Sequence, residues 1–139
     1  MANTFRIEIA TPERLLVNES VTEATIPGEQ GYLGILPGHA PLLSELGIGE
    51  LSYTLVNGQR RHLAIRSGWV EVANDHVRVV AEGAEHASEI DAARAEASLK
   101  RAAERLSKPG SELDIARALN AMKRAQARLA ASKSGSGER

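Results

Sequence analysis

Cysteine is absent from the 139-residue chain, which rules out a disulfide framework, a thiolate metal site and a cysteine nucleophile. Such a chain fits a reducing compartment. Aromatic residues make up only 3%, so the core must be built from aliphatic side chains and alanine. No run approaches the roughly 18 to 20 apolar residues of a membrane span, so any work at a membrane goes through partners. The opening MANTFRIEIA holds no long apolar segment. Neither a secretory signal nor a transit peptide is legible there, which points to a bacterium rather than an imported precursor.

Chemical signatures are missing as well. No G-x-S-x-G elbow, P-loop or G-x-G-x-x-G fingerprint is found. Gly28, Gly31 and Gly34 are spaced by three but do not lead into a helix. His39, His62, His76 and His86 lie in different segments and share no ligand spacing. No catalytic residue and no metal site is expected. The first half is acidic and poor in aromatics, where a nucleic-acid platform needs basic residues and stacking rings, so no nucleic-acid partner is expected either.

What is present divides near residue 88. Residues 1–88 carry 6 Lys/Arg and 11 Asp/Glu, whereas 89–139 carry 11 and 7. An acidic and a basic half imply two modules with different partners, or an attraction between them.

Residues 1–87 show strand periodicity and no helical one. Phe5, Ile7 and Ile9 alternate with polar residues, as do Thr22, Ala24 and Ile26 before Pro27-Gly28. Leu51, Tyr53 and Leu55 run into Asn57-Gly58, a type I′ hairpin signal because that turn needs φ > 0 at both central positions. The partner strand holds Leu63 and Ile65 and ends at Ser67-Gly68. Val70 and Val72 lead to a turn at Asn74-Asp75, and Val77 and Val79 follow. Short strands at this spacing predict a β-sandwich or barrel, and an antiparallel β-sandwich is the expected fold. Within it, GYLGILPGHAPLL at Gly31–Leu43 reads as a loop of dictated path, because Gly reaches φ > 0 freely and Pro fixes φ. Its pairs Ile35-Leu36 and Leu42-Leu43 should tuck into the core, leaving Gly38 to Pro41 to turn in the open.

Residues 88–131 become rich in strong helix formers. Ser88 is the expected N-cap, and Ala92, Ala95, Leu99, Ala102 and Leu106 form one stripe. Pro109-Gly110 breaks the helix. Ser111 should cap a second helix, with Asp114 completing an S-x-x-D box and a stripe of Ile115, Leu119, Met122, Ala125 and Leu129. So short a break predicts an antiparallel hairpin. Stripes made mostly of alanine bury little, so the hairpin should be marginal alone and dock loosely, leaving room for a switch. Residues 132–139 are Ser/Gly-rich and expected to be disordered.

One charged constellation stands out. Arg117, Arg124 and Arg128 recur on one face of the second helix, and Arg94 and Arg101 on one face of the first. Spacing alone fits an ordinary solvated face. The alternative is an anion site, with guanidinium groups converging on phosphates or a partner's carboxylates.

Taken together, the pattern resembles the epsilon-subunit family of bacterial, proton-translocating F-type ATP synthases, from Phe5 to about Leu129. Gly31–Leu43 resembles the family's G-x-L-G-I-x-P-G-H-A-P-L-L segment. Ser67-Gly68-Trp69-Val70-Glu71-Val72, with Asn74 and Val77, resembles its S-G-G-x-x-E-V block. Ile90-Asp91-Ala92-Ala93-Arg94-Ala95 matches I/L-D-x-x-R-A, and Lys123-Arg124-Ala125 with Arg128-Leu129 resembles K-R-A-x-x-R-L. The resemblance implies a non-catalytic central-stalk rotor subunit, peripheral at the cytoplasmic face of the inner membrane. Its partners would be the gamma subunit, the c-ring and the beta and alpha subunits.

Carried over by position, the resemblance puts Gly31, Tyr32, Gly34, Pro37, Gly38 and His39 near gamma and the c-ring. Some relatives carry an acidic residue where this chain has Tyr32. Arg117, Lys123, Arg124 and Arg128 would meet the beta subunits when the helices extend and block ATP hydrolysis. Glu85, Ile90, Asp91, Arg94, Arg101, Arg124 and Arg128 would bind a regulatory ATP in the folded-down state; no cofactor is required. A rival reading of another class is a free-standing, nucleotide-responsive binding protein.

Overall fold

A computed structural model describes residues 3–108 and 110–135. Six strands come first: β1 (Phe5–Ala10), β2 (Leu15–Gly28), β3 (Gly31–Ile35), β4 (Leu42–Leu55), β5 (Arg60–Ala73) and β6 (His76–His86). A 3₁₀ turn, Ala87–Glu89, leads to α1 (Ala92–Leu106) and α2 (Glu112–Ser134). The strand order is β1-β6-β5-β4-β2-β3, and β1 also pairs with β2, so the sheet curls back on itself. All pairs are antiparallel except β1 with β6.

The core lies between the layers of this sheet. Ile7, Ile9, Val21, Ile26, Leu51, Leu63, Ile65, Val70, Val77 and Val79 are fully enclosed. It contains no residue of either helix.

The strand expected to end at Ser67-Gly68 instead continues as one 14-residue strand, β5. Ser67 (φ 53°) and Gly68 (φ 128°) form a kink inside it. Alternation changes parity there: Leu63 and Ile65 face inward before the kink, Val70 and Val72 after it. The neighbours change in step, β4 between Leu46 and Leu51 and β6 between Ala81 and Ala84. A strand crossing from one layer to the other must switch faces, and a bend with positive φ does this within two residues. In β2 the same effect moves the inward position from the expected Thr22 to Val21, with a register shift between Val21 and Glu23.

The type I′ expectation also moves. Asn57 lacks positive φ; only Gly58 has it, at 89°. Gly58 N donates to Leu55 O and Leu55 N to Gln59 O, which makes a three-residue loop closed by a left-handed glycine. The turn with two positive φ values is Asn74-Asp75, at 52° and 55°.

Part of the expected loop is a strand, since Gly31–Ile35 pairs with β2. The two apolar pairs split as strand periodicity requires. Ile35 is buried and Leu42 packs on the core, while Leu36 and Leu43 are exposed.

In the helical part, Asp91 rather than Ser88 caps α1, its carboxylate accepting from Arg94 N at 3.1 Å. Ser88 lies in the 3₁₀ turn instead. Ser111 caps α2 as expected, accepting from Asp114 N at 3.2 Å. Of the expected break, Pro109 lies outside the described residues. The disordered tail is corrected in part: Ser132, Lys133 and Ser134 complete α2, and residues 136–139 lie outside the described residues.

Alanine dominates the contacts. α1 buries only Ala95 and Ala102, and α2 only Ala118, Ala125, Ala127 and Ala131. The two helices pack on each other, and α2 also lies against β4 and β5. Ala127 and Ala131 sit on Ala64 of the sheet, with Ile48 and Ile90 at the edge of the cluster.

Candidate functional site

α2 crosses the outer face of the sheet, and polar contacts pin it beside its alanines. At its C-terminal end, Ser134 Oγ donates to Glu50 Oε2 at 3.3 Å, while Glu50 Oε1 meets His62 Nδ1 at 2.7 Å. Within the alanine seat, between Ala127 and Ala131 along the helix, Arg128 Nε donates to Glu85 Oε1 at 2.6 Å. Both partners of this ion pair are partly exposed. A third link ties the root of the hairpin to the sandwich: Arg14 Nη2 reaches both carboxylate oxygens of Glu89, at 2.8 and 3.0 Å. Glu89 also accepts from His86 N at 3.1 Å. The Arg14 hydrogen bond, with help from the His86 N–H, holds the Glu89 carboxyl below its usual range against an opposing desolvation. The same bond raises the Arg14 guanidinium.

Two hollows flank the Arg128–Glu85 pair. The smaller, about 310 Å³, lies beside the start of α1. Arg94 and Arg101 of α1, Arg128 of α2, Glu85 of β6 and Asp91 line it, together with Glu89 and Ser98. Arg101 is steadied by a bond from its Nη2 to Ser98 Oγ at 3.0 Å. Three guanidinium groups and three carboxylates line this hollow together, so it offers cations to a phosphate and acceptors to an amine. Five of the seven positions expected to meet a nucleotide are thus brought together. The other two are placed differently: Ile90 packs near Ala127 and Ala131, and Arg124 lines the adjoining larger hollow.

That larger hollow, about 350 Å³, is the seam between the sheet and α2. Arg14 and Arg66 enter it from the sandwich, Arg124 and Arg128 from α2. Arg117, by contrast, lies a further two turns along the helix, at the far end of the hairpin beside Arg105, Lys108 and Asp114. Lys123 is exposed on α2.

The other expected contact region runs from the Glu50 edge of the sheet, near the end of α2, to the turn at the start of β6. Gly31, Tyr32 and Gly34 belong to the edge strand β3, and Pro37, Gly38 and His39 to the turn that follows. Gly38 (φ 83°) donates its N–H to Asp75 Oδ1 at 2.6 Å, which fastens this turn to the β5–β6 turn. Tyr32 is 60% exposed, while its hydroxyl accepts from Glu50 N at 3.2 Å. Tyr32, Leu36 and Leu43 leave an apolar surface in the open.

Sequence reasoning missed Arg14, Arg66 and the Glu50–His62–Ser134 link. Arg14 and Glu89 are 75 residues apart, and no local pattern marks such a pair.

Both parts of the chain match family models. Residues 4–87 match the ATP synthase delta/epsilon chain β-sandwich domain, and 88–133 the delta/epsilon chain long α-helix domain. The ATP synthase epsilon chain of Solibacter usitatus (strain Ellin6076) is 54% identical over 109 residues, covering 78% of this chain and 81% of that one. That of Koribacter versatilis (strain Ellin345) is 53% identical over 110 residues, covering 79% and 77%. Among solved structures, a chain of the Euglena gracilis mitochondrial ATP synthase (OSCP/F1/c-ring) superposes with a TM-score of 0.79 at 22% identity, over 88% of this chain and 78% of that one. A chain of the Tetrahymena thermophila central stalk/c-ring gives 0.66 at 15%, over 91% and 95%; both show a shared fold.

Proposed function

The chain belongs to the ATP synthase delta/epsilon family, and on that premise we propose that it is the epsilon chain of an F-type ATP synthase. In this reading it is a non-catalytic subunit of the central stalk. The sandwich holds gamma and meets the c-ring through the Gly31–His39 region, where Tyr32 and Leu36 offer apolar surface. The subunit is peripheral, at the cytoplasmic face of the bacterial inner membrane, and held there by the complex. No helix among the described residues is long and apolar enough to cross a membrane.

The hairpin is the regulatory part. The observation that carries this is the docking of α2 through small apolar contacts and partly exposed ion pairs, with an arginine-lined hollow beside them. Such a joint opens at modest cost. Arg128 is engaged with Glu85 and Arg124 lines the seam while α2 is down, so undocking frees both for the acidic surface of a beta subunit. The extended hairpin then blocks ATP hydrolysis. ATP in the smaller hollow, its phosphates on Arg94, Arg101 and Arg128, favours the docked state by its differential affinity for that state.

Co-purification with gamma and the c-ring from native membranes tests the assembly, and failure to co-purify contradicts it. Calorimetry of ATP against the full chain tests the sensor. The expected result is binding that weakens about tenfold or more in Arg94→Ala, as loss of a charge-assisted bond implies. Binding unchanged in that variant contradicts the site.

A further inference from the structure

Two sandwich arginines, Arg14 and Arg66, line the larger seam cleft although neither belongs to the nucleotide set. We propose that this cleft is a second anion site, taking a phosphate group between Arg66 of β5 and Arg124 of α2. It shares with the smaller hollow only the Glu85–Arg128 pair at their common wall.

Arg66 is placed by a glycine. It pairs across the sheet with Gly83, and a Cβ at 83 would lie 2.8 Å from Arg66 Nε and Nη2. Only a bare backbone there lets the guanidinium lie across β6 at the cleft. Arg124 comes from the opposite wall, on the helix. Neither arginine has an ion pair or hydrogen bond among the described residues, whereas Arg14 and Arg128 are held by Glu89 and Glu85. Two unpaired cations on the two sides of one joint repel each other across it. A dianion between them turns that repulsion into two charge-assisted contacts.

The cleft is roomy enough for a phosphate group and several waters at about 30 Å³ each. Its apolar wall, the methyls of Ala64 and Ala127, strengthens such contacts by lowering the local dielectric. Glu13 and Glu82 also line it and compete for the arginines, which keeps the affinity modest. Because the ligand joins sheet to helix, it stabilises the docked hairpin. At ten times its Kd the docked population rises about elevenfold over the open one.

The phosphate group can come from free inorganic phosphate or from the tail of a nucleotide. The test titrates sodium phosphate, and separately ATP, into the full chain by calorimetry, with amide hydrogen exchange of α2 as a second readout. Wild type should bind phosphate and gain protection in α2. Arg66→Gln should weaken binding about tenfold or more, and Glu82→Gln should tighten it by removing a competitor. Lys100→Gln, an exposed position that lines neither hollow, should leave phosphate binding unchanged. If wild type ignores free phosphate but Arg66→Gln weakens ATP, the nucleotide tail is the source. Equal binding of both probes in wild type and Arg66→Gln overturns the proposal, as does binding of neither. The nucleotide reading fails separately, if Arg94→Gln binds ATP as wild type does.

Discussion

Gly68 shows how much one residue can carry. Its φ of 128° lies where side chains are strained, and an added Cβ would come within 2.0 Å of Val80 O. Gly68→Ala should destabilise the sandwich by about 3 kcal/mol or more, read from the urea midpoint, because strain and backbone displacement add. The turn chemistry was only half legible at this scale. Asn57-Gly58 carries the stronger hairpin signal, yet Asn74-Asp75 holds the two left-handed residues, because register across β5 and β6 leaves room for only two residues there. The Arg14–Glu89 pair makes a second prediction. Glu89 is held below its usual range, so the stability it lends is complete above the unfolded value of about 4.3 and is lost as pH falls through the depressed folded value. Exchange protection around residues 86–90 should therefore fall only in acid below that range. In Arg14→Ala, Glu89 should titrate nearer its ordinary value by NMR.

At the scale of elements, β5 and α2 were read with different success for one reason. Period-2 alternation assigns faces only while a strand stays in one layer. The switch at Ser67-Gly68 therefore looked like two strands, though both halves were placed correctly inside. For α2 the large residues of the expected stripe mislead. Ile115 and Leu119 are exposed, and the buried positions are alanines, whose small size permits close approach to both α1 and the sheet. The arginine sites were legible as spacing on each helix, but not as a meeting of helix and sheet, because Arg14 and Arg66 have no helical partner pattern. Ala131 is fully buried against the sheet side. Ala131→Leu should cost the docked state about 1–3 kcal/mol by overpacking. The expected sign is loss of exchange protection in α2 with the melting of the sandwich unchanged, since the sheet core holds no helix residue.

For the whole molecule, the division is between a self-sufficient sandwich and a hairpin that is held on rather than built in. The sandwich presents its Gly38 turn beside Asp75 at the start of β6, and roots the hairpin at the end of that strand. The most direct measurement is the ATP hydrolysis rate of the assembled synthase carrying this chain either whole or ended after Ala87. The account predicts that the shortened chain still co-purifies with gamma and that hydrolysis rises several-fold, because the hairpin that blocks it is gone. Hydrolysis unchanged in a fully assembled complex would contradict the assignment of regulation to the hairpin.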